Sequence, residues 1–479
     1  MPVSTDPPQG KEESGTASVR SLHSLLIVLR SKWKAFTSGS VNRKIFGAAM
    51  VVGTMTMGMK IISLLKESFV AAAFGTGNAY DAFVIALLVP YTIAGILSSS
   101  LNAALIPTYI EIREQENSEA AQRLYTTILM WNTILLVALS LTIAFTARLW
   151  LPVIASGFDA PKLALAHNLL FWSLPIVIMT GFSTTWGALL NAGGKFAMVA
   201  IAPVLQPLAI ILGLGLFGRS LGIYALMGGT VLGVLLETVL IGLALARRGH
   251  SLAPRWHGVT SAFRKVRAQY GACIAAAFIV SGMGLVDQAF ASTLGPRSNS
   301  ALSYGSKLVA LVLTLGASSI GTAILPELSR MVALKNWFGI RRFLRTYFGI
   351  ILAVTIPTTL VLIGISAFLI RVMYQHGSFT PEDTSLVVKV QIFYLLRVPF
   401  STCNVLVTRT LTALRANQFL LFMSFGSFAL NAILDYLFIQ RFGIAGITLS
   451  TSACSVVILL CLSLAMYRLL GKRSMEALA

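Results

Sequence analysis

The sequence is poor in charged residues and in the residues that build metal centres and disulfides. Only 11% of its 479 residues are charged, whereas soluble domains carry about 25%. It has five histidines and four cysteines, and none of them shows the spacing of a metal site. We also find no glycine-rich phosphate loop and no nucleophile elbow. These absences argue against a soluble protein, an ATP-driven pump and a hydrolase. We therefore expect no enzyme activity, no cofactor and no bound metal.

Hydrophobic residues, in contrast, are abundant and occur in long runs. They make up 56% of the chain, and the mean hydropathy is +0.80. The runs exceed the roughly 20 residues that a helix needs to cross a bilayer. We count about twelve such segments, which predicts an all-α polytopic membrane protein.

The sequence also repeats itself at an interval of about 220 residues, as a transporter built from two structural halves would. The repeated pairs are 157–161 (GFDAP) with 377–381 (GSFTP), 99–107 with 318–326, and 222–223 with 443–444. Their common order and spacing make chance matches an inadequate explanation. The repeat predicts two parallel six-helix lobes of the kind that secondary transporters form.

This repeat divides the chain into five parts. They are a basic, partly disordered cytoplasmic tail (1–44), an N-terminal lobe (45–246), a basic cytoplasmic linker (247–269), a C-terminal lobe (270–470) and a second cytoplasmic tail (471–479). The net charge of +20 is concentrated in the tails and in the loops on one side. The positive-inside rule then places both chain ends in the cytoplasm. Because the basic loops lack interleaved aromatic residues, we expect no nucleic-acid partner.

Charged residues inside the predicted spans should carry the function, because each costs at least about 2.5 kcal/mol at the bilayer centre unless it has a partner. The cations that we single out are Lys60, Lys66, Lys307 and Arg397. Local pairing explains Lys66, which adjoins Glu67, but it does not explain the other three together. A group of cations in a cavity that excludes water predicts an anionic, phosphate-bearing substrate.

The acidic residues in the spans suggest gates or ion pairs. Glu67 and Asp287 occupy equivalent positions of the repeat, which suggests either a symmetric clamp between the halves or two independent ion pairs. Asp81 and Asp435 lie near helix ends, where acids commonly pair or cap. Glu237 has no obvious neighbouring partner and is a candidate proton or ion site.

Several motifs resemble those of the MviN/MurJ-type lipid flippases, which belong to the multidrug/oligosaccharidyl-lipid/polysaccharide (MOP) exporter superfamily. The motifs are 54–57 (TMTM) with Lys60, 66–67 (KE), 74–83, 304–308 (YGSKL), 321–329 (GTAILPELS) and 377–383. The resemblance spans residues 45–470. It implies alternating access that carries an undecaprenyl-pyrophosphate-linked glycan from the inner to the outer leaflet of the bacterial cytoplasmic membrane. The family's cavity cations fall on Lys60, Lys66 and Lys307, and its neighbouring acid falls on Glu67, whereas Arg397 has no match.

Two departures from the family pattern leave the glycan open. Residues 94–95 (AG) stand where the family has paired arginines. The sequence also lacks two further helices that usually follow the twelfth span. The substrate is therefore either lipid II or the repeat unit of an exopolysaccharide or O-antigen.

Two other functions compete with the flippase. A multidrug cation antiporter would share the architecture but would rely on deep carboxylates. A membrane scaffold without transport activity would use its basic loops to recruit enzymes of polysaccharide or peptidoglycan synthesis. We expect a monomer, because the two halves already provide a pseudo-symmetric pair.

Overall fold

A computed structural model of the chain describes residues 41–476, and side chains from residue 57 onward except at scattered positions in the later helices. All the regular structure in this range is helical. The α-helices are α1 (Val41–Phe74), α2 (Asn78–Gln115), α3 (Ser118–Ile154), α4 (Ala160–Ala192), α5 (Phe196–Ile201), α6 (Leu205–Leu221), α7 (Ile223–Ala246), α8 (Ser261–Thr293), α9 (Ser298–Ala333), α10 (Trp337–Gly364), α11 (Ser366–Tyr374), α12 (Pro381–Leu395), α13 (Val398–Ala413), α14 (Asn417–Phe442) and α15 (Ile444–Glu476).

Many of these helices are long enough to cross a membrane. Within residues 41–476, nine helical segments satisfy both length and hydropathy, two of them formed by the pairs α5–α6 and α12–α13. Helices α1, α8 and α9 have 34, 33 and 36 residues and contain charged residues of the candidate sites. The predicted all-α membrane architecture is confirmed, whereas the count of twelve spans stays a prediction.

Polar residues in the short turns set where several helices begin. The Asn117 side chain accepts a hydrogen bond from the Ala120 amide at the start of α3. Thr380 and Asp383 form a reciprocal capping box at the start of α12. Each side chain satisfies amide groups that have no partner within the first helical turn.

The repeated glycines at 222 and 443 end two corresponding helices. Gly222 has φ +54° and separates α6 from α7, and Gly443 has φ +55° and separates α14 from α15. Residues with a Cβ rarely adopt this backbone conformation. The two halves therefore make the same turn before their last long helix.

The chain divides into two compact units, residues up to Gly58 and residues from Met59 onward. Of the first unit, the described part is the beginning of α1, and residues 1–40 of the predicted tail lie outside the described range. In the second unit, α2 packs on α4, α6 on α7, α14 on α15 and α9 on α13. Helix α8 lies against α2 as well as α14. The lobe boundaries at 45–246 and 270–470 stay a prediction.

The repeated turns at 157 and 377 bring segments of the two halves into close contact. A Cβ on Gly377 would lie 2.3 Å from the Ala72 carbonyl oxygen near the end of α1. A Cβ on Gly157 would lie 1.9 Å from the Ser292 carbonyl oxygen near the end of α8. The Ser378 amide also donates to the Ala72 carbonyl over 2.8 Å. These reciprocal glycine contacts join segments of the two halves at the ends of α1 and α8.

Candidate functional site

A buried carboxylate on α1 lies between two lysines. Glu67 is 4% exposed, and its Oε1 is 2.6 Å from Lys66 Nζ and 3.0 Å from Lys307 Nζ. Lys307 belongs to α9, so this ion-pair cluster joins the first helix to a helix of the second half. The lysines keep more exposure than the carboxylate, at 19% for Lys66 and 36% for Lys307. Both ammonium groups can therefore reach a ligand.

The sequence around Lys307 explains why it reaches α1. Tyr304 precedes Lys307 by one helical turn, and its buried ring stacks on Tyr80 of α2 with centroids 4.8 Å apart. Gly305 lies so close to Val390 of α12 that a Cβ there would meet the valine side chain at 2.5 Å. The aromatic stack and the missing side chain hold α9 between α2 and α12, which directs Lys307 toward Glu67.

These three charged groups line a cavity of about 380 Å³. Its polar lining includes Lys66, Glu67, Tyr91, Gln206, Ser303 and Lys307, together with Tyr80, Thr92 and Thr230. Gln206 Nε2 donates to the Tyr91 hydroxyl, and Glu67 Oε2 has no partner in the part of the chain that the structure describes. Two ammonium groups and one carboxylate leave a net charge of +1. Since charge interactions strengthen where water is excluded, the cavity favours an anion.

The other two predicted cations lie apart from this cavity. Lys60 precedes Glu67 by seven residues, or about 10.5 Å along the same face of α1. Arg397 lies at the break between α12 and α13, with its guanidinium 5.6 Å from the Tyr394 ring centroid. The structure thus brings together Lys66, Glu67 and Lys307, and the binding roles of Lys60 and Arg397 stay predictions.

The repeat partner of Glu67 has acidic surroundings instead. Asn431 Nδ2 donates to Asp287 Oδ1 over 2.7 Å and to Asp435 Oδ2 over 3.0 Å. Asp287 is 6% exposed and Asp435 is fully buried. Among the described side chains, no lysine, arginine or histidine forms an ion pair with either acid. Two carboxylates in one buried site require a proton or a cation.

Asp81 is paired at the end of α2, as its position near a helix end suggests. Its Oδ2 lies 2.6 Å from Lys162 Nζ, and its Oδ1 accepts the Ser300 amide over 2.7 Å at the start of α9. Lys162 is only 6% exposed, and it was not among the site residues predicted from the sequence. A lysine in the first turn of α4 opposes the helix dipole. That conflict is the sequence signal for a buried acidic partner.

Glu237 makes a weaker contact than the other acids. Its Oε1 accepts a hydrogen bond from Ser183 Oγ of α4 over 3.2 Å. None of the ion pairs found between the described side chains includes it. Its role as a proton or ion site stays a prediction.

Comparison with known proteins identifies the family. Residues 70–478 match the family described as "Lipid II flippase MurJ". The chain belongs to the MurJ family. A probable lipid II flippase MurJ from Synechocystis sp. is 26% identical over 432 residues, which cover 86% of this chain and 80% of the relative. The lipid II flippase MurJ of Thermosipho africanus is 23% identical over 412 residues, which cover 86% and 83%.

Solved structures support the fold independently. A lipid II flippase MurJ in an inward closed conformation superposes with a TM-score of 0.76 at 22% identity, over 90% of this chain and 91% of that one. An inward-facing multidrug transporter of the MATE family, within the MOP superfamily, gives 0.72 at 14% identity, over 89% and 99%. The fold expected from the motif resemblance is therefore confirmed.

Proposed function

We propose that this MurJ-family protein flips a polyprenyl-pyrophosphate-linked glycan from the inner to the outer leaflet of a bacterial cytoplasmic membrane. The observation that carries the proposal is the buried cluster of Lys66, Lys307 and Glu67 in a cationic cavity. Lipid II is the first candidate, because the curated relatives are named as its flippases. A repeat unit of an exopolysaccharide or O-antigen is the alternative cargo.

The cluster offers a way to couple binding to movement. A pyrophosphate competes with Glu67 for the two ammonium groups, because both are held by a single carboxylate oxygen. The Glu67–Lys307 ion pair joins α1 to α9. When the substrate takes the place of Glu67 beside Lys307, this contact between the two halves is lost. An ammonium group suits this exchange, since it binds phosphate as a point charge without a fixed geometry.

The contacts at the far ends of α1 and α8 define which side is closed. The glycine turns at 157 and 377 and the Asp81–Lys162 pair lie there. With the N-terminus in the cytoplasm, as the charge distribution predicts, this closed side faces outward. The substrate then enters from the inner leaflet and leaves after these contacts separate.

We further propose that Asp287 and Asp435 bind the ion that drives the cycle. Both acids are buried, both are linked through Asn431, and neither has a basic ion-pair partner among the described side chains. A sodium ion or a proton satisfies the pair. The pair lies in the second half, so its occupancy is able to act on the substrate cavity through α8 and α9.

The two competing functions are less well supported. A cation antiporter needs an acidic substrate cavity, whereas the cavity here carries a net positive charge. A scaffold without transport activity does not explain why Lys66 and Lys307 share one buried carboxylate. Enzymes of peptidoglycan or polysaccharide synthesis remain proposed partners that would supply or use the lipid, and we propose that the protein is a monomer.

Reconstitution into liposomes tests the proposal. Lipid II is placed in the inner leaflet, and a pyrophosphate-cleaving enzyme added outside reports each molecule that reaches the outer leaflet. We expect protein-dependent cleavage of lipid II and no protein-dependent exposure of phosphatidylethanolamine. Exposure of a polysaccharide repeat unit but not of lipid II would identify the alternative cargo. Exposure of neither lipid-linked glycan would contradict the flippase.

A further inference from the structure

A second cavity lies on the outer surface of the helix bundle, away from the Glu67 cluster. It is a groove of about 810 Å³ between the first turns of α10 and the last turns of α15. The residues that matter are Phe338, Arg341, Arg342 and Arg345 of α10 with Leu464 and Tyr467 of α15. We refer to this set as the arginine groove.

The apolar part of the arginine groove is open. Phe338 is 79% exposed, Tyr467 is 71% exposed and Leu464 is 61% exposed. Phe348 and Leu460 extend the apolar lining deeper along the two helices. A tyrosine beside basic residues is typical of the level where lipid headgroups meet acyl chains.

The basic part of the arginine groove has no acidic counterpart. Arg341, Arg342 and Arg345 are exposed, and no carboxylate among the described side chains forms an ion pair with them. Arg341 and Arg345 are four residues apart, so they lie on one face of α10 with Cβ atoms about 6 Å apart. This spacing lets two guanidinium groups contact one phosphate.

In the first half of the repeat, the position that corresponds to the start of α10 is covered by another segment. The corresponding start of α3 carries Glu119 paired with Arg123 at 2.6 Å. The chain after α7 folds back over it, with Ser251 accepting a hydrogen bond from the Tyr125 hydroxyl and the Arg255 amide donating to the Thr126 carbonyl. On α10, no described segment takes this place.

Charge identifies the occupant. Residues 1–44 contain seven Lys or Arg and three Asp or Glu, so the N-terminal tail is positive and is repelled by three arginines. We propose that the arginine groove binds an anionic phospholipid of the cytoplasmic leaflet. Its phosphate lies between Arg341 and Arg345, and its acyl chains run past Phe348 and Leu460. Basic pockets between spans on the cytoplasmic side favour such headgroups.

Native mass spectrometry of delipidated protein titrated with dioleoyl phosphatidylglycerol tests this proposal. Dioleoyl phosphatidylcholine, which has the same chains, serves as the zwitterionic comparison. We expect the triple variant Arg341→Gln/Arg342→Gln/Arg345→Gln to bind phosphatidylglycerol at least about tenfold more weakly. The control, Arg248→Gln/Arg264→Gln/Arg267→Gln, removes three exposed arginines elsewhere on the same side and should bind like the wild type.

Three results would overturn the proposal. They are unchanged binding by the triple variant, an equal loss in the control, and equal binding of the two lipids by the wild type. A photocrosslinker introduced as Phe338→p-benzoylphenylalanine, at an exposed position, reports the occupant directly. Crosslinks to added phosphatidylglycerol support the proposal, and crosslinks to residues 1–40 instead would contradict it.

Discussion

Glu67 and Asp287 occupy the same position of the internal repeat but have opposite surroundings. Glu67 accepts two lysines through one oxygen, whereas Asp287 shares the Asn431 amide with a second carboxylate, Asp435. The duplication thus supplied one buried acid to each half. The neighbours of each acid determined whether the site attracts an anion or a cation.

With the two sites assigned as proposed, this difference would separate the substrate from the driving ion in a pseudo-symmetric transporter. Each buried charge needs compensation because burial without a partner costs several kcal/mol. Lysines provide it beside Glu67 and leave a net positive cavity. Beside Asp287, the Arg397 charge contributes without forming an ion pair, and we propose that a bound cation or proton completes the compensation. The comparison therefore predicts different responses to neutralisation in the two halves.

The largest effect should follow from removing the lysines of the first site. We expect Lys66→Met/Lys307→Met to reduce flipping of lipid II in liposomes by at least about 100-fold, because two charge-assisted contacts to phosphate disappear. The control Lys265→Met removes an exposed lysine paired with Glu111 and should retain wild-type flipping. If the double variant still flipped lipid II at the wild-type rate, the assignment of Lys66 and Lys307 as the substrate site would be wrong.

Neutralising the second site should remove its response to cations. Asp287→Asn eliminates one of two neighbouring carboxylates, so we expect its melting temperature in choline chloride to rise by a few degrees, or about 1 kcal/mol. The sodium- or acid-induced stabilisation that we expect of the wild type should disappear. Thermal melts in sodium and choline chloride at several pH values measure both effects.

Glu237→Gln separates the two candidate ion sites in that experiment, because Glu237 is an intramembrane acid bonded to Ser183 and apart from the Asp287 pair. With the ion at Asp287 and Asp435, the Glu237 variant differs from Asp287→Asn. It should retain the cation response of the wild type. If the melting temperature of the wild type changed neither with sodium nor with pH, the ion site would be refuted.

An effect of similar size should follow from opening the closed side. In Gly377→Ala, the new Cβ would lie 2.3 Å from the Ala72 carbonyl oxygen, so the turn must separate from α1. Gly443 has nearly the same φ, +55° against +58°, but nothing lies within 4 Å of its Cβ position. Gly443→Ala is therefore the control, because it introduces the same backbone strain as Gly377→Ala without a steric clash.

We expect Gly377→Ala to shift the population toward the outward-open state about tenfold, equivalent to about 1.4 kcal/mol. Distance measurements between spin labels on the turns before α4 and α12 would detect the shift. Equal behaviour of the two alanine variants would show that the glycine contact does not hold the closed state.

The smallest effect should come from neutralising Glu67 itself. Glu67→Gln removes the competitor for Lys66 and Lys307, so we expect the affinity for undecaprenyl pyrophosphate to rise a few-fold, or by roughly 1 kcal/mol. Titration followed by native mass spectrometry measures it. Weaker binding would indicate that the carboxylate positions the lysines rather than competing with the ligand.

The sequence was most informative where one residue type has one physical role. Long apolar runs predicted the helices, and the glycine pair 222 and 443 marked equivalent turns because few other residues adopt that backbone. Lys66, Glu67 and Lys307 were singled out because a charged residue in a membrane span costs free energy unless it has a partner or a ligand. The grouping of Asp287, Asn431 and Asp435 could not be predicted, because it depends on how α8 packs against α14. Lys162 was missed because its distance from Asp81 is set by the packing of α2 on α4.

The measurement that tests the central claim most directly is a comparison of undecaprenyl pyrophosphate with undecaprenol by native mass spectrometry. The two lipids share a chain and differ in the anionic group. We predict that the wild type prefers the pyrophosphate and that Lys66→Met/Lys307→Met binds both lipids alike. A wild type without preference, or a double variant that keeps it, would contradict the assignment of the Glu67 cluster as the pyrophosphate site.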